Sequence, residues 1–392
     1  MTRVIETDVA VIGGGVIGLA CAYELLCRGQ RVVVLERDRA GSGAGAVAAG
    51  MLAPVSEVET EELAFVDLAL ESCGLYPEWI RAIESDAGLG CGYREEGSLL
   101  LALHRDHEVE LDRLMATQQR MGLRSERLTR EQALEKEPYV SPRVVSGLYV
   151  PGDRQVDPRR LTRALAAAIV ARGGTLIEGE TATPRFQGGR VIGAATSSVD
   201  VRAEAVLVAA GVWSAEIWPG SNDRPMAPDS AVGTAQLPPL PLRPVKGQIL
   251  RLRGPKLVRH VLRTPDVYLV PREDGELVIG ATSEEQGFDT TITTWAVMDL
   301  LRDAWRILPG ISELELAETS AGLRPALRDH LPAIGATAIE GLFVATGHYR
   351  HGVLLAPVTA KLLAGVVLGV SRVPGAFDPA RFLAPSVATG AA

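Results

Sequence analysis

The amino-acid sequence predicts an α/β domain built on a parallel sheet, discontinuous along the chain and interrupted by a second, α+β domain built on an antiparallel sheet. Three observations support this prediction. Residues 8–36 show the pattern strand, turn, helix and strand. Buried strand-like runs return at 205–210 and 341–345, and short strands with turn residues between them lie at about 248–281. With 392 residues, the chain is long enough for two ordinary domains.

The first elements predict a βαβ unit. Residues 8–12 (DVAVI) are apolar and β-branched, which is typical of a strand covered on both faces. Three glycines form a turn, residues 16–28 carry apolar side chains at helical spacing, and Gly29 ends the helix. Residues 31–35 (RVVVL) are a second buried strand. The two strands are therefore expected to pair in parallel.

The central part of the chain alternates between the two predicted domains. Residues 61–87 and 106–123 are more polar and helical. An Asp-Pro pair opens an amphipathic helix at 157–172, and strands follow at 175–178 and 205–210. This second set of elements marks a return to the first domain.

The second domain is predicted from short strands after a long irregular stretch. Residues 219–244 are rich in Pro, Gly and Ser without apolar periodicity, which indicates a surface loop or linker. Residues 248–253, 267–271 and 276–281 are short strands, and an Asp-Gly turn precedes the last of them. We expect these strands to pair antiparallel.

These patterns give a five-part division of the chain. The first domain is predicted to comprise residues 1–88, 146–220 and 319–392. The second domain is predicted to comprise residues 89–145 and 221–318. The first domain is thus interrupted twice.

Composition excludes several classes of protein. The net charge of −8 and the absence of Lys/Arg runs argue against a nucleic-acid surface. The N-terminal apolar run contains acidic residues and glycines, and the apolar segment 353–370 contains Lys361 and Pro357, so we expect no membrane span.

The four cysteines, Cys21, Cys27, Cys73 and Cys91, show neither Cys-x-x-Cys spacing nor a metal-ligand pattern. Cys21 and Cys27 lie in the first apolar helix, where we expect buried, reduced thiols. This usage is typical of a cytoplasmic protein, and no metal site is predicted.

The glycine spacing after the first strand predicts a nucleotide site of the Rossmann-like type. Gly13 permits a tight turn, Gly15 lets the backbone approach a pyrophosphate, and Gly18 lets the helix pack closely on the strand. The helix N-terminus attracts phosphates. Glu36 closes the next strand, where it accepts hydrogen bonds from ribose and repels a 2′-phosphate. The site is therefore expected to bind an adenine dinucleotide other than NADP.

The fingerprint does not separate FAD from NAD, because both contain the same adenosine diphosphate half. A second feature favours a flavin: the strand 341–345 leads through Thr346 to Gly352 (TGHYRHG) into an apolar helix from about Val353. The N-terminus of that helix could stabilise negative charge on a reduced flavin. An ordinary strand–turn–helix, an NAD-dependent dehydrogenase and a flavoprotein fold kept for binding only are the alternatives.

The motifs in their order resemble those of the D-amino-acid-oxidase-type FAD-dependent oxidoreductases, and most of all the glycine oxidases of thiamine biosynthesis. The resemblance covers nearly the whole chain. It rests on VIGGGVIGLACAYEL, AAGMLAP (48–54), PGDRQVDPRRL (151–161), AAGVWS (209–214), PVKGQ (244–248), YLVPR (268–272), GAT (280–282), GLRP (322–325) and GHYRHGVLLAP (347–357).

The resemblance implies an FAD domain and a substrate domain on an antiparallel sheet. It implies that Tyr268 and Arg324 hold the substrate carboxylate, with Arg350 near the site; an arginine fork and a phenol suit that task. No cysteine follows Cys91, so the FAD is expected to be non-covalent. The residues expected to contact the cofactor are Gly13, Gly15, Val16, Ile17, Gly18, Glu36, Arg37, Ala48, Ala49, Gly50, Met51, Ala210, Gly211, Gly347, Tyr349, Arg350, His351, Gly352 and Val353.

The implied reaction is oxidative deamination of glycine or another small amine, with reoxidation by O2 to hydrogen peroxide. Sarcosine or D-amino-acid oxidation, or electron transfer to a non-oxygen acceptor, are the alternatives within the family. The resemblance also implies a homo-oligomer, in particular a tetramer.

Two departures from the family pattern concern the cofactor. Relatives often carry Ser or Thr before AAGML, where this chain has Gly45, Ala46 and Val47; Ser42 or backbone amides are the expected substitutes. Relatives often have Asn at the position of His351, so either a tolerated change or a different pH dependence is expected there.

Overall fold

The computed structural model describes residues 2–56, 63–217 and 240–382. Its helices are α1 (Val16–Cys27), α2 (Ala44–Val47), α3 (Leu63–Ala87), α4 (Arg105–Arg120), α5 (Arg130–Lys136), α6 (Pro158–Ala171), α7 (Ser214–Ile217), α8 (Thr294–Ile307) and α9 (Ala356–Val367). Its strands are β1 (Arg3–Ile12), β2 (Val32–Leu35), β3 (Met51–Leu52), β4 (Ser98–Ala102), β5 (Glu126–Thr129), β6 (Ser146–Val150), β7 (Arg154–Gln155), β8 (Thr175–Ile177), β9 (Thr183–Gln187), β10 (Arg190–Ala195), β11 (Val199–Val208), β12 (Arg243–Arg253), β13 (Val261–Arg263), β14 (Tyr268–Pro271), β15 (Glu276–Gly280), β16 (Glu315–Ala326), β17 (Ala333–Ala336) and β18 (Leu342–Thr346).

The first sheet confirms the predicted parallel arrangement. Its strands follow the order β17-β18-β11-β1-β2-β8, and β1 pairs in parallel with both β2 and β11. Helices α1, α3, α6 and α9 cover one face with a large apolar core, and a smaller core that includes the β9–β10 hairpin covers the other. Burial on both faces explains why residues 9–12 of β1 and all of β2 are continuous apolar runs.

The predicted helices and most strand ends in this domain hold to within a few residues, but β1 begins at Arg3 and β11 at Val199, earlier than the predicted starts at 8 and 205. Helix α6 begins as predicted, since the Asp157 side chain accepts from the N–H groups of Arg159 and Arg160 and Pro158 occupies its first turn. The last helix begins at Ala356 and not near Val353, because residues 352–355 form turns instead. Cys27 is exposed at the end of α1, which corrects the expectation that it is buried.

The second sheet is almost wholly antiparallel, with the order β16-β12-β15-β14-β13-β4-β6-β5. The predicted antiparallel pairing is confirmed for β12 with β15 and for β14 with β15; only β13 and β4 pair in parallel. Helix α8 packs its buried residues, among them Leu300 and Ile307, on the apolar core of this sheet. One face of the sheet is thereby covered and part of the other faces the first domain.

Two predicted domain boundaries fall inside the second sheet. β6 begins at Ser146, where the first domain was expected to resume, and β16 runs through the expected boundary at 319. Both strands belong to the second sheet because they pair with strands that are distant in sequence. The apolar pattern of a strand does not reveal such a pairing. Of the predicted loop 219–244, residues 219–239 lie outside the described part of the chain, and Arg243 already begins β12.

Across the described ranges, no helix is long and apolar enough to cross a membrane. Within the same ranges, no three His, Cys, Asp or Glu side chains are grouped so that they could hold a metal ion.

Candidate active site

A cavity of about 850 Å³ lies between the two sheets and is lined by residues of both. Sixteen of the residues expected to contact a cofactor line it: Gly13, Gly15, Val16, Ile17, Glu36, Arg37, Ala48, Ala49, Gly50, Met51, Ala210, Gly211, Tyr349, Arg350, Gly352 and Val353. Tyr268 and Arg324 line it as well. These residues come from seven separate stretches of the chain that converge on one space, while Gly18, Gly347 and His351 are not part of its wall.

The glycine turn, formed by Gly13, Gly15 and Gly18, has the geometry that its spacing predicts. Gly13 has φ +111°, and a Cβ there would lie 2.5 Å from the carbonyl oxygen of Ala209. A Cβ at Gly18 would overlap the carbonyl oxygen of Gly13, so only glycine lets α1 pack this close to β1. Gly15, in contrast, has no atom within 4 Å of its would-be Cβ and faces open space.

The N-terminus of α1 is available to an anion. Gly15 is the N-cap residue, no side chain makes a capping hydrogen bond there, and the first turn contains no acidic residue. Exposed N–H groups and the positive end of the helix dipole together favour a phosphate at this point.

Glu36 is held in place at the end of β2. Its carboxylate accepts from the N–H of Gly14 at 2.6 Å and from the N–H of Asp38 at 2.9 Å. Each carboxylate oxygen has a further lone pair, so Glu36 can still accept from a ribose hydroxyl. Beside it, the Arg37 guanidinium lies 4.5 Å from the ring centre of Trp213, which also lines the cavity.

In the GHYRHG loop, residues 347–352, some side chains are exposed and others are buried in the protein. Tyr349 has φ +48°, and its N–H donates to the carbonyl of Pro325 at 2.8 Å, which ties this loop to the end of β16. Arg350 is exposed and lies near the Tyr349 ring. The buried His348 contacts Thr359 at 3.0 Å; burial, with a smaller contribution from His351, lowers its pKa to about 3.

His351 does not take the place predicted for it. Its ring is buried and lies 4.3 Å from the ring of Phe65, on the α3 side of the loop. Successive residues of a turn point in different directions, so Arg350 reaches the cavity and the next side chain does not. Gly347 has φ +79° and packs on Leu327, which makes it a structural residue of the loop.

Arg324 and Tyr268 lie on the same face of the second sheet. Tyr268 pairs directly with Gly280, and Gly280 pairs directly with Ile249. Arg324 pairs with Val245, four residues before Ile249 on β12. Directly paired residues share a face, and so do residues two apart on a strand. The side chains of β16, β12, β15 and β14 in this register therefore all face the cavity.

Two glycines make room on this face. A Cβ at Gly247 would overlap the guanidinium of Arg324, and a Cβ at Gly280 would overlap the hydroxyl group of Tyr268. Each polar side chain thus lies over a neighbouring strand at a position without a side chain, and the two approach each other from β16 and β14. We call this group, Gly247, Tyr268, Gly280 and Arg324, the Arg–Tyr face. The sequence reasoning missed the role of the two glycines, although both lie in the motifs PVKGQ and GAT.

Polar groups of the protein orient Arg324 from one side. Its Nη1 donates to the carbonyl oxygens of Lys246, at 3.3 Å, and Thr282, at 3.1 Å. No carboxylate in the described part of the chain forms an ion pair with it.

Glu284 lies beside the two residues whose carbonyls hold Arg324. The Thr282 side chain contacts Glu284 at 2.5 Å, and Lys246 Nζ lies 3.7 Å from the same carboxylate. Burial would raise the pKa of Glu284, but bonds from Thr282 and Gln248 and the charge of Lys246 outweigh it and lower that pKa.

Arg263 is a further cation of the cavity that the sequence reasoning missed. It pairs directly with Tyr268 across β13 and β14, so its side chain shares the face of Tyr268. Its guanidinium donates to the carbonyl and hydroxyl oxygens of Ser56, at 3.3 and 3.2 Å. Only the strand register, which the sequence does not give, brings it to the site.

Comparison with known proteins agrees with this geometry. A family model described as FAD dependent oxidoreductase matches residues 8–366. The chain belongs to this family. The cavity fits the cofactor, since one continuous space of suitable size joins the glycine turn, Glu36 and the second sheet. In this FAD dependent oxidoreductase, the α1 N-terminus and Glu36 would hold the adenosine diphosphate half.

Individual relatives cover almost the whole chain. It is 38% identical over 376 residues to the bifunctional protein ThiO/ThiG of Trichormus variabilis, covering 94% of this chain and 53% of that protein. It is 36% identical to the glycine oxidase of Geobacillus kaustophilus, covering 96% of each. The crystal structure of glycine oxidase from that organism superimposes with a TM-score of 0.84 at 34% identity, covering 96% of this chain and 98% of that one. The chain thus spans about half the length of the bifunctional relatives it matches.

Proposed function

We propose that this FAD dependent oxidoreductase oxidises glycine, or a similarly small primary or secondary amine that carries a carboxylate. The observation that carries the proposal is the Arg–Tyr face, where two donor side chains converge over glycines on the wall of the cofactor cavity. The name of the Geobacillus kaustophilus relative, glycine oxidase, supports the same substrate.

Arg324 and Tyr268 are proposed to bind the substrate carboxylate. The carbonyls of Lys246 and Thr282 hold one guanidinium nitrogen, which leaves the others to face a ligand. Charge-assisted bonds of an arginine contribute about 1.5–3 kcal/mol each, and the planar guanidinium fixes the direction of the carboxylate. The Tyr268 hydroxyl, over Gly280, provides a second point of orientation. Arg350, at the exposed end of the same cavity, is proposed to contribute positive charge near the site.

The chemistry then needs two electrons to leave the substrate. When bound at the glycine turn and Glu36, FAD would supply the acceptor for these two electrons, taken as a hydride from the α-carbon, and O2 would be the final acceptor, which would give hydrogen peroxide. The protein's part is to orient the α-carbon and to bind the amine after it has lost its ammonium proton. The imine product is hydrolysed to an oxo acid and ammonia, or to an oxo acid and a primary amine where the substrate is a secondary amine; the imine from glycine is otherwise used in the thiazole synthesis of the thiamine pathway. Positioning of this kind lowers a barrier by about 7–11 kcal/mol at best.

A second candidate substrate is an amine with two anionic groups. Arg263 lies on the face of Tyr268, on the side opposite to Arg324, so the cavity has guanidinium groups on both sides of the phenol. A longer dicarboxylic amine would use both. Sarcosine and small D-amino acids are further candidates, as is an acceptor other than oxygen.

The test is a peroxide and oxygen-consumption assay on purified holoenzyme with glycine, sarcosine, N-alkyl glycines, D-amino acids and an N-carboxymethyl amino acid. We expect glycine or sarcosine to give the highest kcat/KM. The proposal fails if none of these substrates reduces the flavin under anaerobic conditions. Anaerobic reduction without oxygen consumption would indicate a dehydrogenase.

We propose further that the enzyme is cytoplasmic and that it forms a homo-oligomer. The family resemblance implies that this oligomer is a tetramer. Sedimentation of the holoenzyme tests the second statement.

A further inference from the structure

Residues 44–50 form a wall of the cavity, and three arginines hold this wall from outside. Arg159 Nε donates to the carbonyl oxygen of Ala46 at 2.7 Å, and Arg251 Nη2 donates to the same oxygen at 3.3 Å. Arg272 Nη2 donates to the carbonyl oxygen of Ala49. The segment carries no hydroxyl group between Gly43 and Met51, so its polar groups are those of the backbone.

The three arginines come from both domains. Arg159 lies in α6, where Glu318 of β16 pairs with it at 2.6 Å. Arg251 lies in β12 and pairs with Glu276 at 2.5 Å. Arg272 follows β14 directly. The cofactor segment is therefore attached to the substrate sheet through side chains, although the two are far apart in sequence.

Arg272 is the most unusual of the three. It is 4% exposed, and the partners it has are neutral: the carbonyls of Ala49 and Val156 and the side-chain amide of Gln155. Burial lowers its pKa to about 10. In the described ranges no carboxylate forms an ion pair with this guanidinium. A buried cation without an anionic partner costs free energy, so a role beyond packing has to offset that cost.

Peptide geometry shows what the arginines achieve. In a trans peptide the C=O and the following N–H point in opposite directions. Because the carbonyls of Ala46 and Ala49 point to the arginines, the N–H groups of Val47 and Gly50 point away from them. The carbonyl of Gly50 accepts from the N–H of Val156 at 2.9 Å, which turns the N–H of Met51 the same way. Gly50 has φ +78°, the left-handed conformation in which successive N–H groups form an anion-binding concavity.

We propose that Arg159, Arg251 and Arg272 are positioning residues that fix the peptide groups after Ala46 and Ala49, so that the N–H groups of Val47 and Gly50 face the cofactor. Because the segment has no hydroxyl at Gly45, Ala46 or Val47, its peptide N–H groups are the hydrogen-bond donors that it offers. The inference depends on FAD binding alone and not on the proposed substrate.

The test compares FAD release from holoenzyme variants. For Arg272→Met we expect FAD to bind about tenfold to a hundredfold more weakly, measured by flavin fluorescence on dilution. Arg272→Lys keeps the charge but not the geometry, so it should show most of the same loss. Arg159→Met, at a partly exposed residue, should weaken FAD binding severalfold.

The matched control is Arg94→Met. Arg94 is also buried, at 8% exposure, and also donates to backbone carbonyls, those of Pro271 and Arg259. Its guanidinium pairs in addition with Glu96 and Glu273, and in the described part of the chain its hydrogen bonds and ion pairs do not include the segment 44–51. Thermal unfolding at rising FAD concentration separates a role in FAD binding from a role in fold stability. A variant with weaker FAD binding needs more FAD to reach the same increase in Tm. If Arg272→Met and Arg159→Met release FAD like the wild type, or if Arg272→Lys retains full affinity, the positioning role is wrong. Equal loss of FAD in Arg94→Met would also overturn it.

Discussion

Glycines shape both the glycine turn and the Arg–Tyr face, but for different physical reasons. In the glycine turn, Gly13 and Gly18 are required by the backbone itself, because a Cβ at either would meet a main-chain oxygen. On the Arg–Tyr face, Gly247 and Gly280 lie in regular strands and their missing side chains are filled by a guanidinium and a phenol. The first region is contiguous in sequence, whereas the second is assembled from four strands. A change in the first should act on the cofactor, and a change in the second should act on the substrate.

The largest effect is expected for Arg324→Ala. Loss of two charge-assisted bonds should lower kcat/KM by about 10²–10⁴, while the flavin spectrum persists. Steady-state kinetics and the absorbance of the purified protein measure the two quantities. Arg328→Ala is the control, since Arg328 is exposed and four residues away. Unchanged turnover in Arg324→Ala would show that the carboxylate binds elsewhere.

A smaller effect is expected for Gly247→Ala, which keeps every polar group. The new methyl group would displace the Arg324 guanidinium, and a displacement of about 1 Å can lower kcat/KM roughly 10²-fold. FAD affinity should be unaffected. We expect KM to rise more than kcat falls, because Arg324 is misplaced but still present. Loss of FAD from this variant would contradict the division of roles between the two regions.

The smallest effect is expected for Gly15→Ala in the glycine turn. Its Cβ would meet no protein atom within 4 Å, so unfolding of the FAD-free protein should change by less than about 1 kcal/mol. FAD affinity should still fall on the order of tenfold, because the methyl group occupies the space that a pyrophosphate approaches. Gly18→Ala is the contrast, since its Cβ overlaps the Gly13 carbonyl and should destabilise both forms. Wild-type FAD binding in Gly15→Ala would contradict the predicted approach of the phosphates.

The same comparison explains what could be predicted from the sequence. The glycine turn and Glu36 were predictable, since strand, turn and helix are neighbours in the chain and each glycine has a local reason. The second sheet was predicted in kind, but the predicted division placed β6 and the part of β16 from residue 319 onward in the first domain. Their pairing partners are distant in sequence, and the apolar pattern of one strand does not identify the strand with which it pairs.

For the site, the family resemblance directed attention to Arg324 and Tyr268, which the structure brings together on the cavity wall. Residue patterns alone did not identify Arg263, because its place depends on the register of β13 with β14. The His351 prediction depended on the direction of one side chain within a turn, which sequence spacing does not determine. Its ring packs against Phe65 instead.

The hydrogen bond from the N–H of Tyr349 to the carbonyl of Pro325 has a consequence for engineering. It joins the residue after Arg324 to the residue before Arg350, so the two arginine-bearing segments share one backbone geometry. An insertion or a loop exchange in either segment would shift the other. A redesign of substrate range should therefore graft residues 322–325 and 347–352 together, as one cassette.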